Sequence, residues 1–246
     1  TLDAKQFEQI QCDVHQFHGI EIEPSAAHIA TVALWLTDHQ ENQRASKALG
    51  GNFNRLPLDK KANIACANAL TTDWALVLSP ELCDYIIGNP PFVGAKYMSD
   101  EQRADATQVF GSLTNAGLLD FVAAWYVKAV PYLKAHPACR AAFVSTNSIT
   151  QGEQVGVLFS WLLAQGVHIQ FAHRTFQWSN DAKGVAAVHC VIVGFGLVDV
   201  PGKTIYQYDN IRGEPLAVKA SHINPYLVDA PDVVLPRRSK PLCDAP

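Results

Sequence analysis

The chain alternates short apolar bursts with longer segments of mixed periodicity, and that rhythm predicts its elements. His18 to Ile22 reads as a brief strand. Pro24 follows at a position where the first helical turn tolerates a missing N–H. From Ser25 to about His39 the spacing is helical. Ile29, Val32, Leu34, Trp35 and Leu36 make most faces apolar, which predicts a largely buried helix. Asn63 to Ala67 and Tyr85 to Gly88 read as further strands. Asp100 to Phe110 and Leu118 to Leu133 read as helices, and Arg140 to Thr146 as a strand. Gln154 to Gln165 is helical and is stopped by Gly166. His168 to Arg174 and Ala187 to Phe195 are strands. Strands that alternate with helices predict an α/β fold, doubly wound around a mostly parallel sheet. After residue 200 prolines interrupt every pattern. A short strand at Thr204 to Tyr208 is expected there, then an extended connector with little core of its own.

Composition narrows the class. The chain has 246 residues, 48% of them hydrophobic and 17% charged, enough apolar material for a large core. The formal net charge of −4 is not the basic balance of a free-standing nucleic-acid binder, so contact with nucleic acid must be local. The densest basic cluster is Arg237, Arg238 and Lys240. Cys12, Cys66, Cys83, Cys139, Cys190 and Cys243 are scattered, without the C-x-x-C spacing of a zinc or redox site. Buried free thiols in a reducing cytoplasm are the expectation. His15 and His18 are three apart but lack further ligands nearby, so no metal is expected. No apolar run is long enough to cross a membrane as a helix.

Two strand ends carry chemistry. Glu21 and Glu23 close the first strand, on the same face and just before a helix. At the carboxyl end of a strand an acid can accept hydrogen bonds from ribose hydroxyls. Negative charge at a helix N-terminus is the simpler account of the same residues. The second strand end is "DYIIGNPPFVG", Asp84 to Gly94. Proline fixes φ and keeps the preceding residue extended, so Asn89-Pro90-Pro91-Phe92 is a rigid turn. The Asn89 side-chain carbonyl and the Pro90 backbone carbonyl are two acceptors beside the flat face of Phe92. That arrangement suits a planar ring with an exocyclic amine. The amine donates both hydrogens, its lone pair leaves conjugation, and the ring stacks on the Phe. Such hydrogen bonds favour attack on an electrophilic methyl group because they strengthen in the transition state.

"DYIIGNPPF" resembles the catalytic motif of S-adenosylmethionine-dependent amino-group DNA methyltransferases, with the Phe of the adenine-N6 type. Glutamine N5-methyltransferases carry a similar motif. "GIEIEP" resembles the acidic strand of these enzymes, which implies that Glu21 and Ile22 bind the cofactor and reverses the simpler account above. "ACANALTTDW" resembles the next cofactor motif, which implies the same for Asn68 and Ala69; Asn68 stands where the family often has Asp. "LLDFVAAWYVKA", "AAFVSTNSITQGEQ", "FAHRTFQWSNDAKGVAAVHCVIVGF" and "INPYLVDAPDVVLPRRSKPL" follow in order. Together they resemble the methyltransferase part of MmeI-type restriction–modification proteins.

The resemblance implies a fold of the class I S-adenosylmethionine methyltransferase type and double-stranded DNA as partner. It also implies a fused endonuclease and a fused target-recognition domain. Asn89, Pro90, Pro91 and Phe92 become the catalytic motif. Phe176 or Trp178 becomes the second plate against a base turned out of the duplex, and Arg174 a phosphate contact. The simpler account of both aromatics is a core position at a strand end. A first strand and glycine-rich loop are expected before the acidic strand, yet Thr1 to Gln16 hold no glycine. "LGGNF" at Leu49 to Phe53 lies on the wrong side of that strand and reads as a loop. The chain is therefore expected to be part of a larger protein, with residues 1–200 a partial catalytic domain and 201–246 a connector toward target recognition. As an isolated piece it is expected to bind cofactor weakly or not at all and to be inactive. A non-catalytic DNA-binding scaffold is the remaining alternative.

Overall fold

The structure, a computed structural model, describes residues 12–50, 62–178 and 188–235. The chain divides into two compact units, Thr1–Ser79 and Pro80–Pro246.

In the first unit β1 (His18–Glu21) and β2 (Asn63–Cys66) pair in parallel, His18 opposite Asn63 and Glu21 opposite Cys66. Between them runs α1 (Pro24–Leu49). It has Pro at its start and is closed by Gly50 in the left-handed region (φ 69°), whose N–H donates to the Ser46 carbonyl. The helix continues ten residues past the expected end at His39. Its second half is polar and held by its own side chains: Asn42 donates to Asp38 at 2.9 Å, and Arg44 pairs with Glu41. The first half is less buried than its sequence predicts. Ile29, Val32 and Leu36 are exposed, and along the helix only Ala27 and Asn42 are fully buried.

The second unit is a six-stranded mixed sheet with helices. Its strands are β3 (Tyr85–Gly88), β4 (Arg140–Thr146), β5 (His168–Trp178), β6 (Val188–Gly196), β7 (Lys203–Gln207) and β8 (Leu216–Ala220). The order across the sheet is β3-β4-β6-β5-β7-β8. β3, β4, β5 and β7 run one way; β6 and β8 run against them. The helices are α2 (Asp100–Phe110), α3 (Ala123–Ala135) and α4 (Gly152–Ala164). Alternate residues of β4 (Ala141, Phe143, Ser145) are buried, and Tyr126 of α3 packs on them. The Tyr126 ring meets Phe143 edge-on at 5.2 Å and stacks on Phe195 of β6 at 5.2 Å. Gly194 is required where Phe171 of the neighbouring strand lies over it, since a Cβ would run into that ring.

β3 is an edge strand whose Tyr85 and Ile87 are exposed. Three expectations change. The helix expected from Leu118 begins at Ala123, because Leu119 to Val122 form a turn that directs Asp120 inward. After residue 207 the chain is not a plain connector. β8 pairs with β7, and Ile223, Asn224 and Leu227 are buried beyond it. Of the cysteines, Cys83, Cys139 and Cys190 are buried, whereas Cys12 and Cys66 are exposed. Cys243, Arg237, Arg238 and Lys240 lie outside the described residues, as does most of "LGGNF". Among the described residues no helix is long and apolar enough to cross a membrane, and no group of three His, Cys, Asp or Glu side chains could hold a metal.

Candidate active site

β3 ends at Gly88, opposite Phe143 of β4. A Cβ on Gly88 would stand 3.2 Å from the Phe143 ring, so glycine lets the strand close on the core at the last residue before the motif. Asn89 is then exposed, Pro90 is buried and Phe92 is half-buried. The buried Pro90 anchors a turn whose polar end faces solvent. Beyond Phe92 the chain is tied down at two points: the Phe121 N–H donates to the Val93 carbonyl at 2.9 Å, and the Ala95 N–H donates to Asp120 at 3.0 Å. Arg103 of α2 donates to the Ala95 carbonyl at 3.2 Å.

Gly88, Phe143, Val193 and Ala172 form one row across the sheet. Asn89 is therefore level with His173 on β5, three inter-strand steps or about 14 Å away. Phe176 and Trp178 continue β5 past that row on the same edge of the sheet. Phe176 is not free: it stacks on Tyr208 at 5.4 Å and lies 6.2 Å from Trp178. His173 stacks on Tyr206 at 4.1 Å, and its Nδ1 is 2.8 Å from the Tyr208 hydroxyl. Burial lowers the His173 pKa from its ordinary 6.5. Phe176 thus belongs to an aromatic band with His173, Tyr206 and Tyr208, and Trp178, 39% exposed, forms its outer end. The sequence reading missed Tyr206 and Tyr208. Their only signal was the alternation in "IYQY" on a strand that proved to neighbour β5. Arg174 is exposed and, with Thr175, Gln207, Tyr208 and Asp209, lines a hollow of about 230 Å³.

In the first unit the parallel pairing of β1 and β2 brings both candidate cofactor segments to one sheet edge. Glu21–Ile22 and Asn68–Ala69 leave neighbouring strands at their carboxyl ends. The Ala67 N–H donates to the Glu21 carbonyl at 2.9 Å and holds the two exits together. One Glu21 carboxylate oxygen accepts the Glu23 N–H at 3.0 Å, so part of its role is to brace the start of α1. Asn68 Oδ1 accepts the Leu70 N–H at 2.9 Å, and the Ala69 carbonyl accepts the Trp74 indole N–H at 2.8 Å. Ile22 is exposed.

The strand end bearing Asn-Pro-Pro-Phe thus sits in an α/β fold whose β6 is inserted antiparallel between β4 and β5. The family model "MmeI, DNA-methyltransferase domain" matches residues 2–207. The chain belongs to the MmeI DNA-methyltransferase family. It is 38% identical over 234 residues to DNA methyltransferase A of Bacillus subtilis (strain 168), covering 94% of this chain and 26% of that protein. It is also similar to the solved structure of the type IIL restriction–modification enzyme MmeI in complex with DNA. That match has 55% identity and a TM-score of 0.90, over 98% of this chain and 32% of the other. The chain thus spans about a quarter to a third of the length of these two relatives.

Proposed function

We propose that the protein methylates the N6 amine of an adenine in double-stranded DNA, using S-adenosylmethionine, as part of a restriction–modification protein. The observation that carries this reading is the rigid Asn89-Pro90-Pro91-Phe92 turn at the carboxyl end of β3, with its polar end exposed and its proline buried. A planar amino base fits against it. The Asn89 side-chain oxygen and the Pro90 carbonyl accept the two amine hydrogens, and Phe92 covers the ring. These acceptors draw the nitrogen lone pair out of the ring and stabilise the positive charge that grows as the N–C bond forms. The surplus proton then leaves to water, so no strong general base is required of the chain.

The acidic and amide side chains at the β1 and β2 ends fit an adenosine group. Glu21 keeps a second carboxylate oxygen for ribose hydroxyls, while Asn68 and Ala69 sit beside it for the adenine. When bound, S-adenosylmethionine supplies an electrophilic methyl group whose bond to sulfur breaks as the new N–C bond forms. Trp178 is favoured over Phe176 as the second plate against the base, because Phe176 is already stacked within the protein. Arg174 is suited to a phosphate, being exposed on the same strand. In this reading residues 1–200 are the catalytic portion and 201–246 lead toward target recognition. The same reading assigns the nuclease and recognition functions to parts of the protein outside this chain.

The test is methyl transfer by the full-length protein with Asn89→Ala and Phe92→Ala. Loss of a donor or acceptor aimed at developing charge costs about 10²–10³-fold in rate. Asn89→Ala is expected to lose methylation at least to that extent, and Phe92→Ala, which loses a stacking face, by about 5- to 150-fold, while far-ultraviolet circular dichroism is unchanged in both. Methylation at the wild-type rate by either would refute the role of the motif.

A further inference from the structure

Asp120 had no assigned role in the sequence, yet it ties the loop after β3, the end of β4 and the start of α4 together beside the candidate catalytic turn. It is 8% exposed. Its Oδ1 accepts the Ala95 N–H at 3.0 Å. Its Oδ2 accepts the Ser148 hydroxyl at 2.5 Å and the Thr146 hydroxyl at 3.3 Å. Its own N–H donates to Gln154 Oε1, in the first turn of α4, at 3.0 Å. The next residue, Phe121, donates its N–H to the Val93 carbonyl at 2.9 Å. Residues 120 and 121 therefore grip both sides of the Val93-Gly94-Ala95 turn that follows Phe92. They fasten it to the end of β4 and the start of α4. Gly94 fits the narrow space this leaves, since a Cβ there would lie 3.3 Å from the Tyr97 ring and 3.7 Å from Asp120 Oδ1.

We propose that Asp120 is a positioning residue for methyl transfer: its carboxylate locks the turn after Phe92 to the β4 end and so aims the base-holding groups. The proposal rests on the reading of Asn89 to Phe92 as the catalytic motif. Its logic lies in what each partner can do alone. If the carboxylate is removed, Ser148 and Thr146 still satisfy each other, being 2.9 Å apart. The Ala95 N–H loses its acceptor, so the damage falls on the loop rather than on β4. An Asn side chain keeps the oxygen that faces Ala95. Its amide hydrogens meet two hydroxyls, which can turn to accept them.

The experiment compares Asp120→Ala, Asp120→Asn and Ser148→Ala with wild type in the full-length protein. It measures single-turnover methylation, affinity for S-adenosylmethionine and for DNA, and hydrogen exchange across residues 89–98. A misplaced reacting group costs about 10²-fold, so Asp120→Ala is expected to slow methylation about 100-fold. Both affinities should stay within about threefold, and exchange should quicken in that loop alone. Asp120→Asn should stay within about tenfold of wild type, and Ser148→Ala should fall between the two.

Equal loss in the Asn and Ala variants would overturn the proposal, since the charge itself would then be in use. So would a wild-type rate in Asp120→Ala, or a loss confined to cofactor affinity. If Asp120→Ala fails to fold, the Asn and Ser148→Ala arms decide. An Asn89→Ala control separates the two readings. If that control still methylates, the site reading has failed; if it does not, the Asp120 results bear on positioning alone.

Discussion

Tyr126 links α3, whose leading turn holds Asp120, to β4, whose end binds it. Its hydroxyl is 2.8 Å from Ser145 Oγ, and both residues are fully buried. Burial also raises the Tyr126 pKa, so the phenol stays neutral. Tyr126→Phe keeps the ring contacts with Phe143 and Phe195 but strands the Ser145 hydroxyl in the core. Leaving one buried partner unsatisfied costs about 1–3 kcal/mol, whereas removing both is nearly neutral. Ser145→Ala strands the phenol in the same way. The assay is native-state hydrogen exchange followed on peptides of α3 and β4, which reads local opening without requiring a two-state transition of a multidomain protein. Each single variant should exchange faster by about 5- to 150-fold, the range that corresponds to that cost. The double variant Tyr126→Phe/Ser145→Ala should return most of the way to wild type, giving a coupling energy close in size to the two single effects added together. Additive losses in the double variant would refute the reasoning, because each hydroxyl would then have another partner.

Three further outcomes follow from the site. Gly88→Ala pushes a Cβ against Phe143, which is held between Tyr126 and Phe195 and cannot retreat. It should destabilise the β3–β4 pair by about 1–3 kcal/mol, read as faster exchange there, and slow methylation. Glu21→Gln keeps an oxygen for the Glu23 N–H but loses the carboxylate charge, so S-adenosylmethionine should bind about 10-fold or more weakly by calorimetry; unchanged affinity would remove Glu21 from the cofactor site. His173 has a folded pKa below its ordinary 6.5, so the unfolded chain takes up protons first as the pH falls. Its contribution is intact above that value and is lost below it. Cooling of the melting temperature between about pH 7.5 and 5.5 should therefore be smaller in His173→Gln than in wild type.

The sequence made the local features legible and hid those that depend on distant partners. Tyr85–Gly88, Asp100–Phe110 and Arg140–Thr146 fall where their patterns place them, since each is bounded by its own signals: prolines, a Ser99 cap that accepts the Gln102 N–H, and a closing turn. The second half of α1 was missed because side-chain ladders rather than an apolar stripe support it. The late start of α3 was missed because the turn at Asp120 is held by Ala95, Thr146, Ser148 and Gln154, all remote in sequence. β8 was missed because Leu216–Ala220 is mostly exposed and gains order only by pairing with β7. Within the site, Asn89 to Phe92 could be read from the prolines alone. The packing of Phe176 against Tyr208 could not, since it follows from the parallel neighbours β5 and β7.

The central claim is that the Asn89-Pro90-Pro91-Phe92 turn serves transfer to an adenine amine. The most direct measurement incubates the full-length protein with DNA and methyl-labelled S-adenosylmethionine, digests the DNA to nucleosides and identifies the labelled product by mass spectrometry. The account predicts label in N6-methyl-2′-deoxyadenosine alone, and none with Asn89→Ala. Label in a methylated deoxycytidine, label recovered in the protein fraction instead of the DNA, or undiminished labelling by the variant would contradict it.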